Sequence, residues 1–322
     1  MAQLRSVILF SVLFCALILS CAVSAKEISE YRSIFKPFHD KSGKLKIAIR
    51  SLRRSSIPSL VILDPYKFEN SVIEESSVDL SKRIDVKEWK ATPFIKALYR
   101  YTQPENKLQN SGLVAGLNTK GLFLTVDMCP STKEFDKDLF ASTIELPANK
   151  NMPVPVAIAV SGLWIEKHRD DFEWVLAKVK DGKLDVTWMN HSYSHPYDSK
   201  RHIEENFLLT PGVDFEREAL EEEALLLENN ITPSPFFRFP GLVSDNHLLE
   251  KLRGLSLIPI GANAWLAKGE EPKGGSIILV HGNGNEPLGV KSLIEFYDSN
   301  KEEFTNGSLI LLPLKDAFRG GK

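Results

Sequence analysis

Two patterns of apolar and polar positions alternate through the second part of the chain. Residues 121–127 and 154–162 are continuous apolar runs with the form of buried strands. Residues 166–180 and 214–230 instead repeat apolar side chains at helical spacing, and Asp214 is placed to cap the second of these helices. The same patterns predict further strands at 184–189, 236–239, 256–260, 276–280 and 308–314, and further helices at 244–252 and 290–297.

Strands separated by helices indicate a parallel sheet, because each helix returns the chain to the same end of the sheet. About seven strand–helix steps within roughly 200 residues favour a barrel over an open sheet. The fold class predicted for this part of the chain is therefore α/β, in the form of a (β/α) barrel.

Residues 26–111 differ in composition and have no assignable fold. The segment 59–64 has the form of a strand, 86–101 that of a helix, and 103–111 is typical of a linker. The basic run 44–54 is predicted to be a solvated face, as charge runs usually are. We therefore divide the mature chain into residues 26–111, of unknown fold, and a barrel domain over 112–322.

The first 25 residues have the form of a secretory signal peptide. Arg5 precedes an apolar run over 7–19, and residues 23–25 fit a small-residue cleavage site. Cleavage after residue 25 predicts an exported protein, periplasmic or secreted, with no membrane span in the mature chain. Two alternatives stay open: an uncut membrane anchor, or a lipoprotein-like box that leaves the chain lipidated at Cys21.

Composition narrows the function classes. The 322-residue chain has 43% hydrophobic and 25% charged residues and a formal net charge of −2. These values exclude a disordered or polytopic membrane chain and argue against a nucleic-acid-binding protein, which usually has a basic excess. Cleavage would leave Cys129 as the sole cysteine, so no intramolecular disulfide is expected.

Chemically useful side chains follow several of the predicted strands. In a parallel α/β barrel the active site lies at the carboxyl ends of the strands. The residues found at these positions are Asp127, His191, His195, Arg238, Trp265 and His281. Their convergence on one rim predicts a candidate site there.

His191 and His195 form an H-x-x-x-H pair. On a helix this spacing suits a divalent metal, but Pro196 favours a loop, and spacing alone leaves metal ligands and hydrogen-bonded loop histidines equally open. Asp127 can be a third ligand or a general base, and a rim histidine can be a general acid. Arg238 can hold a carboxylate or form a structural salt bridge. Together these groups match a metal-assisted hydrolase.

The same segments resemble the motifs of the NodB-like polysaccharide deacetylases, carbohydrate esterase family 4. Residues 125–130 (TVDMCP) stand where the family has T-F-D-D-G-P, and residues 191–195 (HSYSH) match H-[ST]-x-x-H. Residues 238–240 (RFP) match Arg-x-Pro, and residues 279–281 (LVH) end an apolar strand as the family's Leu-x-His does. The resemblance covers residues 121–314.

The resemblance implies a distorted (β/α) barrel that removes N-acetyl groups from an amino-sugar polysaccharide of the cell envelope or exterior. It implies that Asp127 is the general base, that Arg238 orients it and that His281 protonates the leaving amine. It also implies a divalent metal, with zinc expected, on His191 and His195.

Substrate-binding roles are expected for three residues, the first two from the resemblance and the third because an exposed indole can stack on a sugar ring. Tyr193 would place its backbone N–H near the oxyanion, Leu279 would line the pocket for the acetyl methyl group, and Trp265 would contact the sugar.

The chain departs from the family pattern at two site positions. Met128 stands where the family has a second Asp that binds the metal, and a thioether is a poor ligand for a hard divalent cation. Asp127 is then the expected third ligand, with Asp198 and Asp245 as alternatives, although family branches with D-x-C in this motif would make the change compatible with activity. Ala264 stands where the family has an Asp that tunes the catalytic His.

Three functions therefore stay open. The first is a metal-dependent deacetylase of an amino-sugar polysaccharide. The second is an amidohydrolase, such as a deformylase, of a smaller or lipid-linked amino sugar. The third is a pseudoenzyme that binds glycan without turnover.

Overall fold

The structure is a computed structural model that describes residues 27–146 and 152–319. The predicted signal peptide over residues 1–25, its cleavage site and the lipidation alternative at Cys21 lie outside the described residues. No helix within the described ranges is both long and apolar enough to span a membrane.

The chain begins with a small antiparallel sheet. Its four strands are neighbours in chain order: β1 (Ile28–His39), β2 (Leu45–Arg54), β3 (Ile57–Asp64) and β4 (Glu69–Glu74). Two helices follow, α1 (Val86–Lys90) and α2 (Pro93–Tyr101). The predicted helix over 86–101 is broken because Pro93, which has no N–H to donate, begins the second helix rather than continuing the first.

The prediction that residues 44–54 form a solvated face is wrong. This segment becomes β2, a central strand of the sheet, in which Ile47, Ala48 and Ile49 are buried. Arg50 is fully buried as well, because its guanidinium pairs with Glu223 of the barrel. Charge counting along the segment cannot reveal that pairing, since the partner lies far away in the sequence.

The second part of the chain is a curled parallel sheet with helices around it. Its strands are β5 (Gly121–Met128), β6 (Val154–Val160), β7 (Leu184–Asn190), β8 (Phe236–Phe237), β9 (Ile258–Pro259), β10 (Ala264–Trp265), β11 (Ile277–His281) and β12 (Ile310–Leu311). Its helices are α3 (Lys137–Ile144), α4 (Gly162–Lys167), α5 (Arg169–Lys180), α6 (Phe215–Glu228), α7 (Asn246–Gly254), α8 (Pro287–Ser299) and α9 (Lys301–Asn306).

The strand order is β10-β11-β5-β6-β7-β8-β9, with β12 also paired to β5, and all these pairings are parallel. The predicted distorted (β/α) barrel is confirmed. The distortion is visible in β8, β9, β10 and β12, which are only two residues long.

Aspartate side chains cap both α6 and α7. Asp214 caps α6 as predicted, because its carboxylate accepts a hydrogen bond from the backbone N–H of Arg217. At α7 the cap is Asp245, which accepts from the N–H of Leu248 at 2.7 Å.

Alternation along β5 separates the barrel interior from the helix layer. Leu124, Val126 and Met128 belong to the apolar cluster that packs against the surrounding helices. Phe123 lies in a different cluster, on the opposite face of the strand. Since side chains alternate along a strand, Asp127 shares the face of Phe123, and Met128 points away from it.

The interior apolar cluster joins the two parts of the chain. It contains Ile49 of β2 and Phe94 of α2 together with Phe236 and Leu279 of the barrel strands. The N-terminal sheet therefore does not pack as a separate unit, and the division of the chain at residue 111 stays a prediction.

Helix α6 provides the polar contacts between the barrel and the N-terminal sheet. Glu223 forms an ion pair with Arg50 at 2.7 Å and accepts a hydrogen bond from the hydroxyl of Tyr31 at 2.7 Å. Its neighbour Glu222 is equally buried, yet neither of its carboxylate oxygens has a hydrogen-bond partner in the part of the chain that the structure describes. Burial and the adjacent charge of Glu223 raise the pKa of Glu222 well above its ordinary value.

Candidate metal centre and cleft

The strand register brings two predicted catalytic residues side by side. Asp127 of β5 and His281 of β11 are paired positions on adjacent parallel strands. Both lie at the carboxyl ends of their strands, as the barrel prediction required.

Arg238 is aimed at Asp127. Its guanidinium is fully buried and donates to Asp127 Oδ1 at 3.1 Å, to Thr125 Oγ1 at 2.9 Å and to the carbonyl of Gly261 at 3.1 Å. Burial alone would favour the neutral acid, but the charge of Arg238 and three nearby histidines lower the pKa of Asp127 below its ordinary value. The carboxylate is thus held ionised and in one orientation.

His191 presents one free ring nitrogen. Its Nδ1 lies 2.7 Å from the carbonyl oxygen of Arg238, which can only accept, so Nδ1 carries the proton. Burial lowers the pKa of His191 to about 4, which keeps the ring neutral. The lone pair of Nε2 is therefore available, 3.5 Å from Cys129 Sγ and 3.9 Å from Asp127 Oδ2.

The segment between the two histidines is a tight loop, as Pro196 suggested. Ser192 and His195 have positive φ angles of 64° and 47°, which are strained for residues with a side chain. Hydrogen bonds stabilise this strained loop. The N–H of Ser192 donates to Asn190 Oδ1, and the N–H and hydroxyl of Ser194 donate to the carboxylate of Glu218.

Three side chains form a cluster that can hold a metal. The ligand atoms of Cys129, His191 and His195 all lie within 4.8 Å of one another. Asp127, predicted as the third ligand, is not part of this group, and Cys129 takes the position. The alternatives Asp198 and Asp245 are used elsewhere, the first in its own loop and the second as the cap of α7.

The donor set fits a divalent metal such as zinc. A neutral imidazole, a second imidazole and a thiol are zinc ligands, and three protein ligands leave a position open for substrate or water. His195 Nε2 is buried and has no hydrogen-bond partner among the described residues. Burial alone would raise the pKa of the Cys129 thiol, but the nearby His195 and His281 lower it to about 7. The two histidines thus favour the thiolate, the form in which a cysteine binds a metal.

Met128 has no part in this cluster. It occupies the sequence position of the family's second Asp, but its side chain is fully buried in the apolar helix layer. The chain leaves β5 after Met128, so Cys129 is the residue that turns back toward the histidines. The departure at Met128 therefore removes one type of ligand, while the next residue has a side chain that can take its place.

His281 has a carboxylate neighbour that the sequence did not predict. Its Nδ1 lies 2.8 Å from Glu286 Oε2, at ion-pair distance, although the ring N–H is not well aligned with the oxygen. The same oxygen accepts a hydrogen bond from Trp265 Nε1 at 2.9 Å. Burial disfavours the charged ring, but Cys129 and Glu286 outweigh this effect and raise the pKa of His281 well above its ordinary value.

The three residues predicted to bind substrate differ in whether the structure places them for that role. The backbone N–H of Tyr193 donates to the carbonyl of Glu218 at 2.9 Å, so it is not free for an oxyanion, and this expected role is wrong. Leu279 is buried within the interior apolar cluster. Trp265 lines the cleft, with the ammonium of Lys268 3.6 Å from the centre of its ring.

A cleft of 720 Å³ opens over the cluster. Cys129, His195 and His281 lie on its floor, and it is bordered by three aromatic side chains, Tyr197, Phe207 and Trp265. Tyr197 and Phe207 stack with ring centres 5.2 Å apart. A cleft with aromatic walls and a few convergent polar groups is typical of a small-molecule or sugar site.

Sequence reasoning missed Cys129 and Glu286. The sequence holds a signal for the first, because Cys129 is two residues from Asp127 and shares the D-x-C form considered above. Nothing in the sequence singles out Glu286, since its role depends on the path of the loop after β11.

A comparison with known families matches the N-terminal part of the chain. Residues 29–102 match the family model described as the RP012 protein N-terminal domain. These residues contain the antiparallel sheet together with α1 and α2.

Solved structures that are similar to this chain include three family 4 carbohydrate esterases or relatives. One from Bacillus anthracis is 17% identical, with 66% of this chain and 89% of that chain covered and a TM-score of 0.46. The Bacillus subtilis esterase PdaA is 13% identical, with coverage of 69% and 88% and a TM-score of 0.44. A CE4 family pseudoenzyme from Bacillus anthracis is 14% identical, with coverage of 70% and 82% and a TM-score of 0.44. At these identities and TM-scores, function must be derived from the residues of this chain.

Proposed function

We propose that this chain is a metal-dependent deacetylase that hydrolyses an N-acetyl group on an amino-sugar polysaccharide of the cell envelope or exterior. One observation carries the proposal: a Cys129–His191–His195 cluster lies beside the buried Asp127–Arg238 pair, and two of its members line a cleft that His281 also lines. A glycan-binding protein has no need of a set of metal ligands, an oriented carboxylate and a partly buried histidine at one point.

The metal would be held by Cys129, His191 and His195, and zinc is the metal proposed. When bound, it would act as a Lewis acid on the amide carbonyl. A thiolate with two imidazoles is a softer set than carboxylates, and softer ligands favour zinc over magnesium or manganese.

Asp127 and His281 have opposite proton-transfer roles in this proposal. Asp127, kept ionised by Arg238, accepts a proton from the attacking water at Oδ2, because Oδ1 is occupied by the guanidinium. His281, whose Nδ1 is taken by Glu286, gives a proton from Nε2 to the amine as the C–N bond breaks. Water thus supplies the hydroxyl of acetate and, through these groups, the proton of the amine.

The test is acetate release from N-acetylated chito-oligosaccharides and from peptidoglycan by the zinc-loaded protein. We expect release by the wild type and a loss of about 100-fold or more in Asp127→Asn and His281→Gln, each with unchanged zinc content. Arg217→Gln, on the exposed face of α6, is the matched control. Acetate release that survives Asp127→Asn would contradict the role of the base.

The two other functions are outcomes of the same assay. Binding of the oligosaccharides without acetate release, in protein that holds stoichiometric zinc, would favour the pseudoenzyme. Turnover of N-formyl but not N-acetyl amino sugars would favour a deformylase.

Export is a further part of the proposal, supported by the form of residues 1–25. An envelope glycan is accessible only to an exported enzyme. N-terminal sequencing of the mature protein tests it, with residue 26 expected first and Cys21 as the contrary result.

A further inference from the structure

Glu286 contacts two residues of the cleft through one oxygen. Its Oε2 lies 2.8 Å from His281 Nδ1 and accepts from the indole N–H of Trp265 at 2.9 Å. This carboxylate joins a partly buried histidine to an aromatic wall of the cleft. The side chain of His281 is 13% exposed and that of Glu286 is 30% exposed, so the contact is partly shielded from water.

Glu286 occupies a position where acidic residues normally serve the helix. It is the residue immediately before α8, where a carboxylate usually accepts hydrogen bonds from the first backbone N–H groups. Its side chain makes no such bond, and Pro287, the next residue, has no N–H to offer. A helix-capping role therefore does not account for Glu286.

The loop that carries Glu286 is held against the Cys129–His191–His195 cluster. Asn283 is fully buried and donates from its side chain to the carbonyl of Cys129 at 2.8 Å. Gly284 has a φ of 73°, and a Cβ there would meet the carbonyl oxygen of Glu134 at 2.5 Å. This fixed path sets where the carboxylate of Glu286 can reach.

We propose that Glu286 is a positioning residue for His281, fixing the ring so that Nδ1 faces the carboxylate and Nε2 faces the cleft, and tying it to Trp265. This inference rests on the proposed role of His281 as proton donor. A ring free to turn would present the wrong nitrogen to the leaving amine for part of the time. The bond to Trp265 makes the histidine and the sugar-facing wall one unit, so that a sugar seated on the indole meets a histidine already oriented.

Activity provides the first test, with two substrates that differ in their need for a proton donor. An amine leaves only when protonated, whereas the nitrophenolate of p-nitrophenyl acetate leaves without a proton. For Glu286→Ala we expect kcat on an N-acetylated chito-oligosaccharide to fall about 10- to 100-fold, with ester hydrolysis and zinc content unchanged. Glu286→Asp is expected to recover part of the loss. An equal fall on both substrates, or no fall on the amide, would overturn the proposal.

Glu270→Gln is the matched control. Glu270 accepts from the backbone N–H of Trp265 at 2.7 Å but is absent from the contacts of His281 among the described residues. We expect this variant to keep the wild-type ratio of amide to ester hydrolysis.

Nuclear magnetic resonance provides a second test that does not depend on turnover. In zinc-loaded wild-type protein, the Trp265 indole signal, assigned by its loss in Trp265→Phe, should show a bonded N–H, and His281 Nδ1 should carry a proton. Both signals should change in Glu286→Ala and stay in Glu270→Gln. If no substrate is turned over but these shifts occur, the proposed function fails while the positioning by Glu286 stands. Unchanged signals in Glu286→Ala would overturn the positioning whatever the activity.

Discussion

Arg238 Nη1 lies 3.1 Å from Asp127 Oδ1, and neither side chain is more than 5% exposed. A buried pair of this kind stabilises the fold only while both partners are present, because either charge alone would be left without water or a counter-charge. The same contact orients the carboxylate that we propose as the base. Stability and chemistry at this point therefore depend on one ion pair.

Replacing Arg238 by Met should cost about 3–5 kcal/mol of unfolding free energy at neutral pH. Since the pKa of Asp127 is lowered in the folded protein, the stabilisation is present above the unfolded value of about 3.9. It is lost as the pH falls through the lower folded-state value. Urea unfolding of the metal-free proteins should show the gap between wild type and variant narrowing as the pH falls below the unfolded value of about 3.9. A gap that is constant with pH would contradict the pairing.

The Arg50–Glu223 pair should behave in the same way at the contact between sheet and helix. Glu223→Ala leaves a fully buried guanidinium uncompensated and should lower the unfolding free energy by about 3–5 kcal/mol. The double variant Arg50→Met/Glu223→Leu should recover much of this loss, because both charges are gone. Arg53→Ala, which removes an exposed pair with Glu30, is the control and should change little. No recovery in the double variant would show that the charges themselves are required.

Glu222→Gln should stabilise the protein, and more so as the pH rises. Glu222 has a raised pKa, so the folded state holds its proton to higher pH than the unfolded state does. Wild-type stability therefore falls as the pH rises above the unfolded value of about 4.3 toward the folded-state value, whereas the glutamine variant lacks this dependence. Unfolding free energies at pH 5 and pH 8 measure the difference, with Glu221→Gln as the control. A variant no more stable than wild type at pH 8 would show that Glu222 has a partner.

Cys129→Ser should lose most of the bound zinc, because a hydroxyl is a far weaker ligand than a thiolate. Cobalt loading gives a direct signature, since a cobalt–thiolate bond produces a charge-transfer band in the near ultraviolet. We expect this band in wild type and in Met128→Leu, whose side chain lies in the helix layer, but not in Cys129→Ser. A band that survives in Cys129→Ser would exclude Cys129 as the ligand.

The barrel strands and the residues at their carboxyl ends could be predicted from the sequence. Apolar runs mark β5 and β6 because both faces of these strands are covered, and residues placed at the ends of parallel strands meet at one edge. Arg238 and His281 were found in this way. Element lengths were less predictable, since β8 and β12 are cut short near Pro240 and Pro313.

What the sequence missed depends on contacts between distant residues. Arg50 looked solvated because its partner, Glu223, is 173 positions away. Whether Met128 or Cys129 reaches the two histidines depends on where β5 ends. A strand one residue longer would change which side chain follows its end. Glu286 became visible only with the loop path after His281.

The contacts of Arg50 also limit when the N-terminal sheet can finish folding. The N-terminal sheet is synthesised first, yet Arg50 needs the carboxylate of Glu223 and the carbonyl of Leu255, 173 and 205 positions later. Contacts of such long sequence separation form late, because the intervening chain must first be ordered. Until α6 and α7 have emerged, the sheet has a hydrated arginine and an uncovered apolar face. The buried contacts of the N-terminal sheet are therefore completed only after α6 and α7 have been made.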